Sequence, residues 1–250
     1  MRRALSRMAV ASTFARSFLI QGSWNYHTML GGGFAFAMLP GLRRIFGSEP
    51  ENVDASVERH LEHFNAHPYL SSVALGAALR LEADGTDPET VRRFKLAVRG
   101  PLGSLGDTLV WATWLPGVAV LALTLFWLGA PAWVAALVFL VVYNVGHIGL
   151  RAWGLRAGLK AGRDVGRLLG SANLMGLARR LQPVVALLLG LLIGAVLNAE
   201  RGLVDARALW AVLATAGFLA GLFGGHRTWR PAAAAMVAAI AVIACWGMIT

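Results

Sequence analysis

The chain has 250 residues, 57% of them hydrophobic and 14% charged, with a formal net charge of +10 and a mean hydropathy of +0.60. Soluble domains carry about 25% charged residues, so this composition excludes an ordinary soluble protein and points to an integral membrane protein. The single cysteine, Cys245, excludes an intrachain disulfide and a multi-cysteine metal site. The basic residues sit in loops beside apolar stretches, as the positive-inside rule demands, and no nucleic-acid partner is expected.

Taken in order, residues 1–16 carry four arginines and no long apolar core, so no cleavable signal peptide is expected. Residues 12–20 are apolar around Arg16, and 34–42 are apolar up to Arg43. Residues 54–64 read as an amphipathic helix that ends near His67 and Pro68, because the residue before a proline avoids the helical region. Residues 69–81 are apolar but only about 13 long, which suits a core or re-entrant helix better than a span. Thr86, Asp87, Pro88 and Glu89 read as a helix start, with Asp87 as N-cap and Pro88 in the first turn. Residues 100–108, GPLGSLGDT, follow. Gly100, Pro101, Gly103 and Gly106 predict a broken, non-helical hairpin that carries Asp107 to membrane depth. Such breaks are tolerated only inside protein or along a cavity, and in transporters they build substrate sites.

Beyond residue 108 come five apolar stretches, 109–128, 132–150, 183–197, 208–224 and 231–249. The third is short for a span. Segment 151–182 sets Arg151, Arg156, Lys160, Arg163, Arg167, Arg179 and Arg180 against one acid, Asp164. Loop 225–230 is also basic, while 129–131 is neutral and 198–207 is balanced. This alternation predicts a multi-pass protein with its N-terminus and residues 151–182 cytoplasmic and its C-terminus outside. The expected fold is therefore all-α and polytopic, a single membrane domain over 1–250, with an amphipathic, re-entrant part over 1–108 and the main spans over 109–250. Gly154, Gly158, Gly162, Gly166 and Gly170 recur every fourth residue. On a helix this is a smooth stripe that lets another backbone approach; the alternative is a flexible glycine-rich loop.

Two constellations bear on chemistry. His60, His63 and His67 form HxxHxxxH, which on one helix face suggests a zinc or iron ligand set; a polar helix face is the better reading, and a hydrogen-bonding role in a sugar or partner site is the other alternative. Glu62 and Asn65 add a carboxylate and an amide, groups suited to polyol recognition. No GxSxG elbow occurs, and GPLGSLGDT lacks the lysine of a phosphate-binding loop.

Three blocks occur in order: RSFLIQGSWNYHTMLGGGFAFAMLPGLRRIFG over 16–47, RHLEHFNAHP over 59–68, and GPLGSLGDT over 100–108. Together they resemble the IID component of the mannose-family (mannose/fructose/sorbose) permeases of the bacterial phosphotransferase system, over residues of about 10–180. The resemblance implies a bacterial inner-membrane subunit that pairs with a IIC membrane subunit and assembles into a higher oligomer of IIC–IID pairs. The complex would move a hexose or related sugar that a IIAB component phosphorylates. The chain itself would be non-catalytic, with no cofactor, no metal and no phosphorylation site, so the three histidines are not phosphoryl carriers. The matching positions are Gln21, Ser23, Trp24, Asn25 and Tyr26, then Glu62, Asn65, His67 and Pro68, then Gly100, Pro101, Leu102, Gly106 and Asp107. Asn65, His67 and Asp107 are the expected sugar-site residues, with Glu62, Gln21 and Asn25 beside them. His63 departs from the family pattern, where an aromatic stands. Two other readings compete: a IID-like interaction or regulatory protein of an incomplete phosphotransferase system, and a membrane enzyme built on the histidine cluster.

Overall fold

The computed structural model describes residues 5–47 and 49–199. The last two predicted apolar stretches, the C-terminus, His226 and Cys245 lie outside the described residues. The chain divides into two compact units, Met1–Leu189 and Gly190–Thr250.

Every named element among the described residues is helical. Helix α1, Arg7–Ser17, starts at Ser6, whose hydroxyl accepts from the Ala9 amide. A turn-rich loop leads to α2, Gly31–Phe46, and then α3 runs over Pro50–Leu61. Helix α4, Ser71–Ala83, is buried at every position except Arg80, which makes 69–81 a core helix. Helix α5, Pro88–Gly106, starts as predicted: the Asp87 carboxylate accepts from the Thr90 amide at 2.9 Å, with Pro88 in the first turn.

The hairpin predicted over 100–108 does not form. Residues Gly100, Pro101, Gly103 and Gly106 are helical, and α5 passes into a π-helical segment, Asp107–Trp114, and then α6, Leu115–Trp127. One proline removes one hydrogen bond from the ladder, a loss that membrane helices tolerate. The glycines serve packing instead. A Cβ on Gly106 would collide with the ring and Cβ of His67, and Gly103 faces the Ala66 backbone. The π turn has its own local cause, since Pro116 has no N–H and its ring clashes with the carbonyl four residues back. The Thr113 hydroxyl donates to the Thr108 carbonyl at 2.8 Å across the widened turn.

Helix α7, Ala132–Ala161, is 30 residues long and carries the helical part of the glycine stripe. It ends at Gly162, with φ of +53°. A short 3₁₀ turn, Gly162–Asp164, leads to α8, Val165–Ala172. Asn173, with φ of +47°, accepts from the Gly176 amide and starts α9, Leu174–Ala199. At 26 residues, α9 is longer than its apolar stretch 183–197 because it begins in the preceding polar turns. Segments Pro88–Trp127 and Ala132–Val196 are long and apolar enough to cross a membrane.

The core of the first unit is where α4 meets α2, α5 and α7. Helices α4 and α7 approach backbone to backbone: Gly154 and Gly158 lie on Ser72, Val73 and Ala77, and Gly76 lies on Leu155 and Leu159. Gly166 and Gly170 meet nothing within 4 Å of an added Cβ, so the stripe functions only in its first half.

One polar cluster joins α3, α4 and α5. Glu82 is 2% exposed and accepts from Ser56 Oγ at 3.0 Å, Arg59 Nε at 2.9 Å, Arg59 Nη2 at 3.0 Å and His60 Nε2 at 2.9 Å. The buried Lys95 donates to the Arg59 carbonyl at 2.7 Å. Burial alone would push the Glu82 carboxyl up, but the hydrogen bonds from His60 and Arg59 outweigh it and hold it down at about 2. Burial lowers His60 to about 4 despite the Glu82 hydrogen bond. His60 is therefore neutral at pH 7, donates through Nε2, and leaves Nδ1 as a buried acceptor without a partner.

Candidate functional site

Three segments from separate blocks of sequence meet around one cavity of about 610 Å³. The first is the loop between α1 and α2, which contributes Gln21 and Trp24. The loop is fixed from inside by Asn25, whose Oδ1 accepts from the His27 and Thr28 amides at 3.0 and 2.9 Å and whose Nδ2 donates to Thr28 Oγ1 at 2.8 Å. The glycines that open α2 let three pieces of backbone close around it: Gly31 lies on Leu61 and Glu62, Gly32 on Ser23, and Gly33 on Ile20. The second segment, 65–68, contributes Asn65, Ala66, His67 and Pro68. It is tied to the first where the Leu30 amide donates to the Phe64 carbonyl at 2.9 Å and the Phe64 amide to the Thr28 carbonyl at 3.1 Å. The third is one face of α5 and the π segment: Arg99, Gly100, Gly103, Ser104, Asp107, Thr108 and Trp111.

Gln21, Asn65, His67 and Asp107 thus share one cavity. Asn25 and Glu62 do not line it. Asn25 is consumed by its own turn, and Glu62 forms an exposed ion pair with Arg92 at 2.7 Å, because α3 ends at Leu61 and turns Glu62 away. The histidine set is dispersed for the same reason. His60 points into the Glu82 cluster, His63 is exposed and bonded to Arg99, and His67 lines the cavity. Among the described residues no group of three or more His, Cys, Asp or Glu side chains could hold a metal ion.

His67 is 2% exposed. Burial, reinforced by the charges of Arg151 and His147, lowers it to about 4, so the ring is neutral at pH 7. Its Nδ1 accepts from the Tyr69 amide at 3.2 Å, which places the proton on Nε2, a buried donor without a partner. Among the described residues the Gln21, Asn65 and Asp107 side chains also have no hydrogen-bond partner. The cavity is therefore lined by a neutral N–H donor, two amides, a carboxylate, the Arg99 guanidinium and the Ser104 and Thr108 hydroxyls, with Trp24 and Trp111 as apolar faces. That is a suitable lining for a small polyol.

A second set of contacts sets the position of His67. Its ring meets Tyr69 edge-on with centroids 5.0 Å apart, Tyr69 stacks on His147 at 4.0 Å, and the buried Arg151 donates to His147 Nε2 and to the Ser17 carbonyl. Arg151 thus ties the end of α1, where the Gln21 loop begins, to the His67 side. Arg99, Ser104, Thr108, Trp111 and Arg151 are absent from the expected site. Four of these five lie on the face defined by the spacing 100, 103/104, 107/108, 111 or next to it, a helical periodicity that was available in the sequence once 100–108 is taken as helix.

The two lowered histidines predict an acid-sensitive fold. Each binds its proton more weakly folded than unfolded, so stability is full above pH 6.5 and falls as pH drops from 6.5 towards 4. Each pKa unit is worth about 1.4 kcal/mol, so the loss is on the order of several kcal/mol. Thermal unfolding in detergent between pH 7.5 and 5 measures it, and His60→Phe should flatten the profile. A midpoint unchanged across this range contradicts the assignment of both rings as buried and neutral.

Residues 4–209 match the family described as the PTS system mannose/fructose/sorbose family IID component. The mannose-specific EIID component of Escherichia coli K12 is 32% identical over 202 residues, 78% of this chain and 69% of its own. The fructose permease IID component of Bacillus subtilis is 27% identical over 168 residues, 65% of this chain and 60% of its own. Among solved structures, the mannose transporter ManYZ in complex with microcin E492 matches with a TM-score of 0.61 and 29% identity, over 79% of this chain and 72% of that one. A second structure, of a membrane protein, matches in fold with a TM-score of 0.69 over 96% of this chain and 97% of that one, at 24% identity. The chain belongs to the IID component family of the mannose/fructose/sorbose phosphotransferase systems, and is an all-α membrane protein.

Proposed function

We propose that this chain is the IID subunit of a hexose permease, in which it pairs with a IIC membrane subunit, and that the cavity holding Gln21, Asn65, His67 and Asp107 is its contribution to the sugar path. The observation that carries this reading is the gathering of hydrogen-bonding groups from three separate segments around one cavity, with His67 Nε2 buried among them without a partner. Sugar hydroxyls need donors and acceptors fixed in advance, and a buried N–H such as His67 Nε2 is costly to leave without a partner. A IIAB component supplies the phosphoryl group on the cytoplasmic side, and the IIC–IID pairs form a higher oligomer. The protein is multi-pass, with its N-terminus and the basic segment 151–182 in the cytoplasm.

The experiment is uptake of labelled mannose by cells lacking their own mannose-family permease and expressing this chain with its IIC and IIAB partners. Uptake that depends on this chain supports the reading. A complex that assembles in the membrane and carries no hexose removes the permease role and favours the regulatory alternative.

A further inference from the structure

Arg99 is the one permanent cation among the residues that line the cavity. Its neighbours on α5 are neutralised: Arg92 pairs with Glu62 at 2.7 Å and Arg93 with Glu89 at 3.0 Å. Arg99 forms no ion pair among the described residues. Its hydrogen-bond partner is the imidazole of His63, with Nη1 to Nδ1 at 2.9 Å. An arginine cannot give up its proton, so Nδ1 accepts, and the remaining ring nitrogen of His63 carries a hydrogen. The Arg99 guanidinium therefore stands at one edge of the cavity, held by the His63 ring behind it, and among the described residues no carboxylate answers its charge.

Asp107 lies eight residues further along the same helix, about 12 Å of rise away, and also lacks an ion-pair partner among the described residues. Gly100, Gly103 and Ser104 between them keep the helix face low. The cavity has a positive end and a negative end too far apart to satisfy each other, with hydroxyl and amide groups between. A neutral hexose uses the polar middle and the carboxylate but leaves the guanidinium without an anion. Planar donor forks are suited to phosphate and carboxylate oxygens.

We propose that the cavity takes a hexose derivative bearing an anionic group, a phosphate ester or a carboxylate, and that Arg99, positioned by His63, recognises that group. This rests on the cavity being the sugar site.

The test is calorimetric titration of the chain, purified with its IIC partner in lipid nanodiscs, with mannose, mannose 6-phosphate, mannuronate and inorganic phosphate. At least one anionic hexose should bind about tenfold or more tightly than mannose, and the tighter of the two distinguishes phosphate from carboxylate. Arg99→Gln should bring the anionic-to-neutral affinity ratio close to one, Arg99→Lys should keep part of it, and His63→Phe should reduce it several-fold. Raising the salt should narrow the ratio in the unaltered protein. A ratio near one in the unaltered complex, a ratio that survives Arg99→Gln, or inorganic phosphate binding as tightly as the phosphate ester overturns the proposal. Mannose binding without charge preference overturns this inference alone, whereas a folded complex that binds no hexose of either kind overturns the cavity reading with it.

Discussion

Replacing Glu82 with alanine is expected to cost about 3–5 kcal/mol of stability, the range for breaking a buried ion pair on one side. Glu82 accepts four hydrogen bonds from Ser56, Arg59 and His60, and it is the acid that answers the charge of Arg59, itself 7% exposed. Without it, Arg59 is a buried cation beside Lys95 with no carboxylate paired to it among the described residues. The damage comes from the uncompensated partner more than from the lost attraction. A double replacement, Glu82→Leu with Arg59→Met, is therefore expected to recover much of the loss. Thermal unfolding of the purified membrane protein checks both. A loss below about 1 kcal/mol for Glu82→Ala, or a double variant no better than the single one, contradicts this account of the junction.

Gly158→Leu is expected to prevent α4 and α7 from packing, with little folded protein recovered from the membrane. An added Cβ at Gly158 would stand 2.8 Å from the Ala77 amide nitrogen and closer still to the Val73 carbonyl. The obstacle is backbone, which no rotamer change relieves, so the cost exceeds the roughly 1–3 kcal/mol usual for overpacking against side chains. Gly166→Leu and Gly170→Leu belong to the same four-residue repeat but have open space around them, and they are expected to yield normal amounts of folded protein. Detergent-extracted monodisperse protein is the measurement. Equal recovery of all three variants contradicts the close crossing.

These contrasts show what local sequence carries and what it does not. The Asp87–Pro88 helix start was legible because capping is decided within four residues. Helix α4 was legible as a core element because its length and apolar run leave no polar face. The convergence of Gln21, Asn65, His67 and Asp107 followed from the family blocks, not from spacing, since the three segments are far apart in the chain. The helix over 100–108 was missed because glycine and proline were read as backbone punctuation, while Gly103 and Gly106 instead make room for Ala66 and His67. The histidine face failed because α3 stops at Leu61, short of His63 and His67. Arg99 and Arg151 carried no local signal. One reads as a surface charge and the other as a positive-inside residue, and only tertiary packing puts the first at the cavity and buries the second between His147 and Ser17.

The most direct test of the cavity is labelled-mannose uptake by Asp107→Leu and Asp107→Asn variants of the chain expressed with its IIC and IIAB partners. Asp107 lines the cavity, is exposed, and its side chain holds no structural hydrogen bond among the described residues, so both variants should reach the membrane in normal amounts. Asparagine keeps the shape and one acceptor oxygen and should retain part of the uptake. Leucine removes charge and acceptors together and should abolish it. Normal uptake by Asp107→Leu would contradict the assignment of this cavity to the sugar path.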